Sequence, residues 1–235
     1  MDPDIRDVKS IRRQKADATR RKIIHAAHEE FIARGFHGAT MAAIAARAGV
    51  ASQTVYFVFH TKSELISSVI DAAVMGDEDP RPPQAQPWWA DMMAEPDAEE
   101  ALRIFIRGAG GVFARSAAIA EVLRAAALTD DEVRRTHQYH EDLRREGFGQ
   151  VLAILASKGP LRDDRSFDEL TDAFITVYGD STYNLLATER GWSHDQIMAW
   201  LSDILPGMLL QARTPAVSRM NAKEEARSEV QESER

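Results

Sequence analysis

The chain has no cysteine, so neither a disulfide framework nor a thiolate-held metal can contribute to its fold or chemistry. No apolar run approaches the length that crosses a bilayer, and the first ten residues, MDPDIRDVKS, are charged; a cytoplasmic protein with no membrane partner is expected. No stretch alternates apolar and polar residues with the period of a strand, which leaves an all-α fold. Enzyme signatures are missing too: there is no glycine-rich phosphate loop, no GxSxG elbow, no HExxH and no cysteine nucleophile. None of the 37 acidic residues is marked by its setting as a catalytic acid or base. His25 and His28 stand three apart without a third ligand, so neither a metal nor another cofactor is expected.

What is present suits one large or two modest helical domains: 235 residues, 44% of them hydrophobic. The net charge of −8 is unevenly spread. Residues 1–65 hold 11 Lys and Arg against 7 Asp and Glu, and the remaining 170 hold 18 against 30. A basic head on an acidic body can meet phosphates while the body is kept away from them. Residues 1–16 are charged and poor in core formers, and read either as an arm that reaches along a groove or as a solvated tail. Asp17 then opens a helix with Ile23, Ile24, Ala27, Phe31 and Ile32 at helical intervals, ending at Gly35.

The stretch from Thr40 to Leu65 carries the most information. Thr40 is a good N-cap, Met41, Ile44, Ala45 and Ala48 follow at helical spacing, and Gly49 supplies a left-handed stop. Ser52 is expected to cap a second helix, with Val55, Tyr56 and Phe59 on its apolar side and Gln53 and Thr54 in its first turn. Two short helices joined this way are a helix-turn-helix, whose second helix enters the major groove leading with its N-terminal residues. Thr61 and Glu64 are expected to box a longer helix that starts at Lys62 and runs to Met75. A helix start carrying a lysine, with His60 and Thr61 beside it, is a candidate phosphate site.

In this order of residues, Thr40, Ile44-Ala45, Ala48-Gly49-Val50, Thr54-Val55-Tyr56, Phe59 and Lys62-Ser63-Glu64-Leu65, the chain resembles the DNA-binding segment of TetR-family transcriptional regulators over residues 18–69. The resemblance implies phosphate contacts from Thr40, Tyr56 and Lys62, and base-edge contacts from Ser52, Gln53 and Thr54. It also implies a larger ligand-binding body whose last two helices pair with a second copy, making a homodimer on a palindromic double-stranded operator. Most members are repressors that a small molecule releases. Phe57 and Val58 depart from the commonest pattern, where a polar residue and a second aromatic are frequent.

Residues 17–75 thus form the expected head with its connecting helix, 76–96 a junction holding five of the nine prolines, 97–213 the body, and 214–235 a charged, disordered tail. Trp88 and Trp89 lie in the junction, expected to be irregular, and either close over a ligand or pack the loop down. Five body helices are expected. One is capped at Asp97 and loosened by Gly108, Gly110 and Gly111; a short one opens at Ser116; a third is boxed by Thr129 and Glu132. The last two are boxed by Ser166 with Glu169, running to about Gly191, and by Ser193 with Gln196, kinked at Pro206. On the long third helix His137 and His140 share a face with Phe148, and Tyr178, Asp180, Tyr183 and Asn184 intrude on an apolar pattern, where some are expected to line the same cavity or the dimer seam. Together with Trp89 and Phe105 these are the candidate lining of a pocket for a hydrophobic or amphipathic effector, although core packing also accounts for them. The alternative of another class is a helical small-molecule carrier or enzyme whose head only mediates interactions.

Overall fold

In a computed structural model the described residues are 5–76 and 80–212, with side chains described from residue 12 onward. They are almost entirely helical, with a single isolated bridge between Leu161 and Leu210. The head is α1 (Ile5–Gly38), α2 (Met41–Ala48), α3 (Ser52–Val58) and α4 (Lys62–Met75); the body is α5 (Pro87–Ala94), α6 (Ala98–Ala127), α7 (Asp131–Lys158), α8 (Phe167–Val177), α9 (Asp180–Asn184) and α10 (His194–Leu209). The tail expected from residue 214 lies outside the described residues.

Most helix starts follow from short polar side chains. Thr40 Oγ1 accepts from Ala43 N at 3.1 Å, and Gly49 ends α2 at φ 68°. Complete capping boxes open α8 at Ser166 and α10 at Ser193, as their spacings predict. Two caps and one reciprocal bond shift by one residue. Ser52 is the first residue of α3 rather than its cap, which is Ala51 without a side-chain bond. Asp130, not Thr129, caps α7, because its carboxylate accepts from both Glu132 N and Val133 N. At α4, Thr61 caps Glu64 N, but the Glu64 carboxylate returns to His60 N at 3.0 Å instead of Thr61 N.

Larger differences have packing causes. The first helix begins at Ile5, so residues 5–16, expected as an arm, are its opening turns; they contain no glycine or proline to stop it, and it bends only at Gly35 (φ 66°). The body's first two expected helices are one, α6, because its glycines admit neighbours rather than break the helix. A Cβ on Gly108 would lie 2.3 Å from Trp88 Cγ, and one on Gly110 2.4 Å from Met198 Sδ. The junction is a 3-10 turn (Pro83–Ala85) followed by α5, so Trp88 and Trp89 are helical, with Pro87 at the permitted first position. Conversely α8 stops at Val177 instead of continuing to Gly191; Tyr178 and Gly179 interrupt it, and α9 and a π turn (Leu185–Glu189) follow.

Two cores result. One joins α1–α4 to the end of α6 and start of α7 through Ile119, Leu123, Ala126 and Val133. The other fills the body around Phe105, Phe148, Phe174 and Tyr178, whose rings meet mostly edge to face. The head is therefore built onto the body along α6, not hung from a linker.

Candidate nucleic-acid interface and body cavity

Val55 and Phe59 anchor α3 in the head core, which turns its opposite side outward. Ser52 and Tyr56, and Gln53 and Phe57, stand four apart on that side, so each pair is adjacent on the surface. Tyr56 is 54% exposed and Phe57 85%, while Thr54 is half-buried. Thr40 is exposed at the start of α2, its oxygen already accepting a backbone bond and its proton free to donate. His60 is exposed, with Nδ1 3.2 Å from the Glu64 carboxylate. Arg47, a cation that the sequence reading passed over, is held by Glu29 and Glu30 at 2.8 and 2.7 Å and ties α2 to α1.

Lys62 is turned inward. Its ammonium donates to Ala39 O at 3.0 Å and lies 4.4 Å from the Phe36 ring centroid. Burial lowers its pKa, opposed by Asp130. In this conformation it ties the start of α4 to the turn before α2 instead of facing outward, where a phosphate contact would require it.

Inside the body a cavity of about 470 Å³ lies between α4, α5, α6 and α7. Trp89, Phe105, His140 and Phe148 line it as the sequence suggests, and Trp88, Phe113, Arg144 and Asp180 join them. His137, Tyr178 and Asn184 are off its wall. His137 lines a small cleft of about 30 Å³. The fully buried Tyr178 donates to Ile106 O at 2.6 Å, and burial holds its phenol well above its ordinary pKa. Asn184 donates to Ala117 O at 2.6 Å, so both residues lock helices together rather than greet a ligand. His140 shares a hydrogen bond with Ser67 of α4 at 3.0 Å; burial, then the Arg144 charge, pushes its pKa down to about 4, with Glu141 opposing and His137 adding a little. It is thus neutral at physiological pH.

Beside it, Ser116 donates to Asp180 Oδ1 at 2.8 Å and Arg144 meets Asp180 Oδ2 at 2.5 Å. Arg144 was legible in principle: it falls four residues after His140 and four before Phe148 on the same helical face. Asp180 stands out in the sequence as one of the polar intrusions after Val177, but its pairing with Arg144 and Ser116 depends on the break at Tyr178-Gly179.

A sequence profile described as bacterial regulatory proteins, tetR family, matches residues 23–69. The head belongs to the TetR family. Over 64 residues the chain is 41% identical to the HTH-type transcriptional regulator TtgR of Pseudomonas putida, a match covering 26% of this chain and 30% of that one. It is 43% identical over 56 residues to the regulator SrpR of Pseudomonas putida, covering 24% and 26%. The chain therefore matches under a third of the length of these curated relatives. Beyond the TetR head the likeness is one of fold. The fatty acid degradation regulator FadR of Bacillus halodurans aligns at TM-score 0.63 and 19% identity over 80% of this chain and 95% of its own. A transcriptional regulator from Saccharomonospora viridis in complex with choline aligns at 0.61 and 16% over 83% and 100%.

Proposed function

We propose that this chain is a homodimeric DNA-binding transcriptional regulator whose affinity for a palindromic operator is set by a small molecule held in the body cavity. The observation that carries the reading is the outward face of α3. Ser52, Gln53, Tyr56 and Phe57 project from a seven-residue helix whose other side is sealed by Val55 and Phe59, and a tyrosine and a phenylalanine left in water by a folded head call for a surface to cover them. Gln53 is the base reader, since its amide pairs with adenine in a bidentate way, and Tyr56 and Thr40 hold phosphates. Pairing of two copies through α8 and α10 is supported by Phe167, exposed on α8, and by Trp200, Ile204 and Met208, half-buried on α10.

The cavity bears on the head because α4 does both jobs. Ile70, Asp71, Val74 and Met75 line the cavity, and the other end of the same helix begins three residues after α3. An occupant releases DNA only to the extent that it binds the DNA-incompetent arrangement more tightly. Solved relatives in fold have been obtained with stearoyl-CoA and with choline, which supports an effector role for the body without choosing its ligand.

The test is selection of bound sequences from a random duplex pool with the wild-type chain and with Gln53→Ala. Palindromic sites are expected, with half-sites about 34 to 36 Å apart or a multiple. Gln53→Ala should cost roughly 1 to 3 kcal/mol per half-site and relax one base pair, with an unchanged salt slope. A monomer on an asymmetric site would refute the dimer reading. Affinity for duplex without steep salt dependence would instead favour a small-molecule carrier, which has no counterions to release.

A further inference from the structure

Three carboxylates, Asp71, Glu146 and Asp180, and one guanidinium, Arg144, stand on the cavity wall. The guanidinium is committed. It bridges Asp180 at 2.5 Å and Glu141 at 3.4 Å, and Asp180 also accepts from Ser116. Glu146 has only a 3.4 Å contact with the Gln150 amide. Asp71, half-buried on α4, accepts no hydrogen bond from any described residue. Burial raises its pKa, opposed by the charge of Arg20, which makes no hydrogen bond to it and instead donates to Ser68 Oγ at 3.0 Å. His140 is neutral and occupied with Ser67. The wall thus presents two carboxylates without an ion-pair partner among the described residues, and no uncommitted cation.

The rest of the wall is aromatic: Trp88, Trp89, Phe105, Phe113 and Phe148. Ring faces attract a desolvated cation, and their bodies accept aliphatic or aromatic surface. A ligand carboxylate or phosphate would find repulsion from Asp71 and Glu146, and could win Arg144 only by stranding the nearly buried Asp180.

We infer that the cavity takes an amphipathic organic cation, with the aromatic walls holding its body and the Asp71 carboxylate facing its positive charge. As a statement about the effector this rests on the regulatory reading above. It adds a direct route to the head, because Asp71 belongs to α4, and a cation drawn to it acts on the helix that leads to α3.

Tetraphenylphosphonium and tetraphenylborate test this with nearly one shape and opposite charge. Titrated calorimetrically into the full chain, the phosphonium should bind at least about tenfold more tightly than the borate, and Asp71→Asn should weaken the phosphonium about tenfold while leaving the borate equal or stronger. Equal or tighter binding of the borate, binding of neither ion, or an Asp71→Asn chain that folds and keeps full phosphonium affinity would each overturn the inference. The comparison of the two ions on the wild-type chain decides even where the variant fails to fold. Failure of the regulatory reading shows separately, as recovery of no preferred duplex by the chain without any ligand.

Discussion

Replacing Gly108 by alanine pits two known effects against each other at one atom. In a helix interior the change ordinarily stabilises by about 1 kcal/mol, because glycine loses more backbone freedom on folding. Here the new Cβ would sit 2.3 Å from Cγ and 2.4 Å from Cβ of Trp88, far inside any real carbon contact, and the obstacle is the root of the indole rather than a flexible tip. Forcing such a contact costs about 1 to 3 kcal/mol, and the response available is displacement of α5, which carries both cavity tryptophans. Gly147 supplies the control. It lies inside α7, also on the cavity wall, and a Cβ there meets nothing within 4 Å. Gly147→Ala should raise the midpoint of thermal unfolding by about 2–4 °C, and Gly108→Ala should be less stable than Gly147→Ala by about 1 to 3 kcal/mol. The assay is calorimetric unfolding of both variants beside the wild type, with tryptophan fluorescence reporting on α5. If Gly108→Ala stabilises as much as Gly147→Ala and leaves the tryptophan spectrum unchanged, the close seat of Trp88 on α6 is wrong, and the cavity's outer wall with it.

Lys62→Met keeps the aliphatic stem but removes the bond to Ala39 and the charge over Phe36, so it should lower stability by about 0.5–2 kcal/mol and leave the salt dependence of DNA binding as it was; a slope reduced by about 0.9 per head would return Lys62 to the phosphates. His140 gives a pH dependence of defined sign. Its folded pKa of about 4 lies below the 6.5 of an unperturbed histidine, so as pH falls from about 7 towards 4 the unfolded chain takes up the proton first and the folded state loses stability. The loss is at most about 3 kcal/mol, less whatever water in the cavity screens. Denaturant titrations of the wild type and His140→Gln across that window should diverge, the variant being flatter, and parallel curves would show that His140 is not desolvated.

The head was legible because its signals are local. Thr40 and Gly49 act on backbone atoms within four residues, and Thr61 likewise caps its own helix, so the ends of α2 and the start of α4 can be read without knowing any neighbour. Differences over residues 40–65 are single-residue ones, whereas the start of α1 moves from Asp17 to Ile5. At Ser52 the hydroxyl falls one place too late to cap, and at Glu64 the carboxylate reaches His60 rather than Thr61. The inward seat of Lys62 was hidden for a different reason, since its partners Ala39 and Phe36 lie on the other side of two intervening helices, and a charged residue at a helix start looks the same whether it faces a phosphate or a carbonyl.

In the body the same residue types carry meanings that only a neighbour assigns. Gly108 and Gly110 have the composition of a helix break, yet each is the floor of a contact, with Trp88 and Met198 respectively, and the helix runs through both. Tyr178 and Asn184 look like polar groups awaiting a ligand, yet each spends its polarity on a carbonyl of α6. The break that they flank puts Asp180 against Ser116 and Arg144, fixing which charges on the cavity wall are neutralised and which are not. The link from that wall to the head is equally invisible in one dimension. Ser63 and Ser67, four apart on α4, bond Thr136 and His140, four apart on α7, at 2.7 and 3.0 Å. Two matching four-residue steps stitch the helices one turn at a time, so the register of α7 beside the cavity and the position of α4 behind α3 cannot change independently. Under the regulatory reading proposed above, an occupant that favours a different seat for α7 would act on α3 through hydrogen bonds already in place.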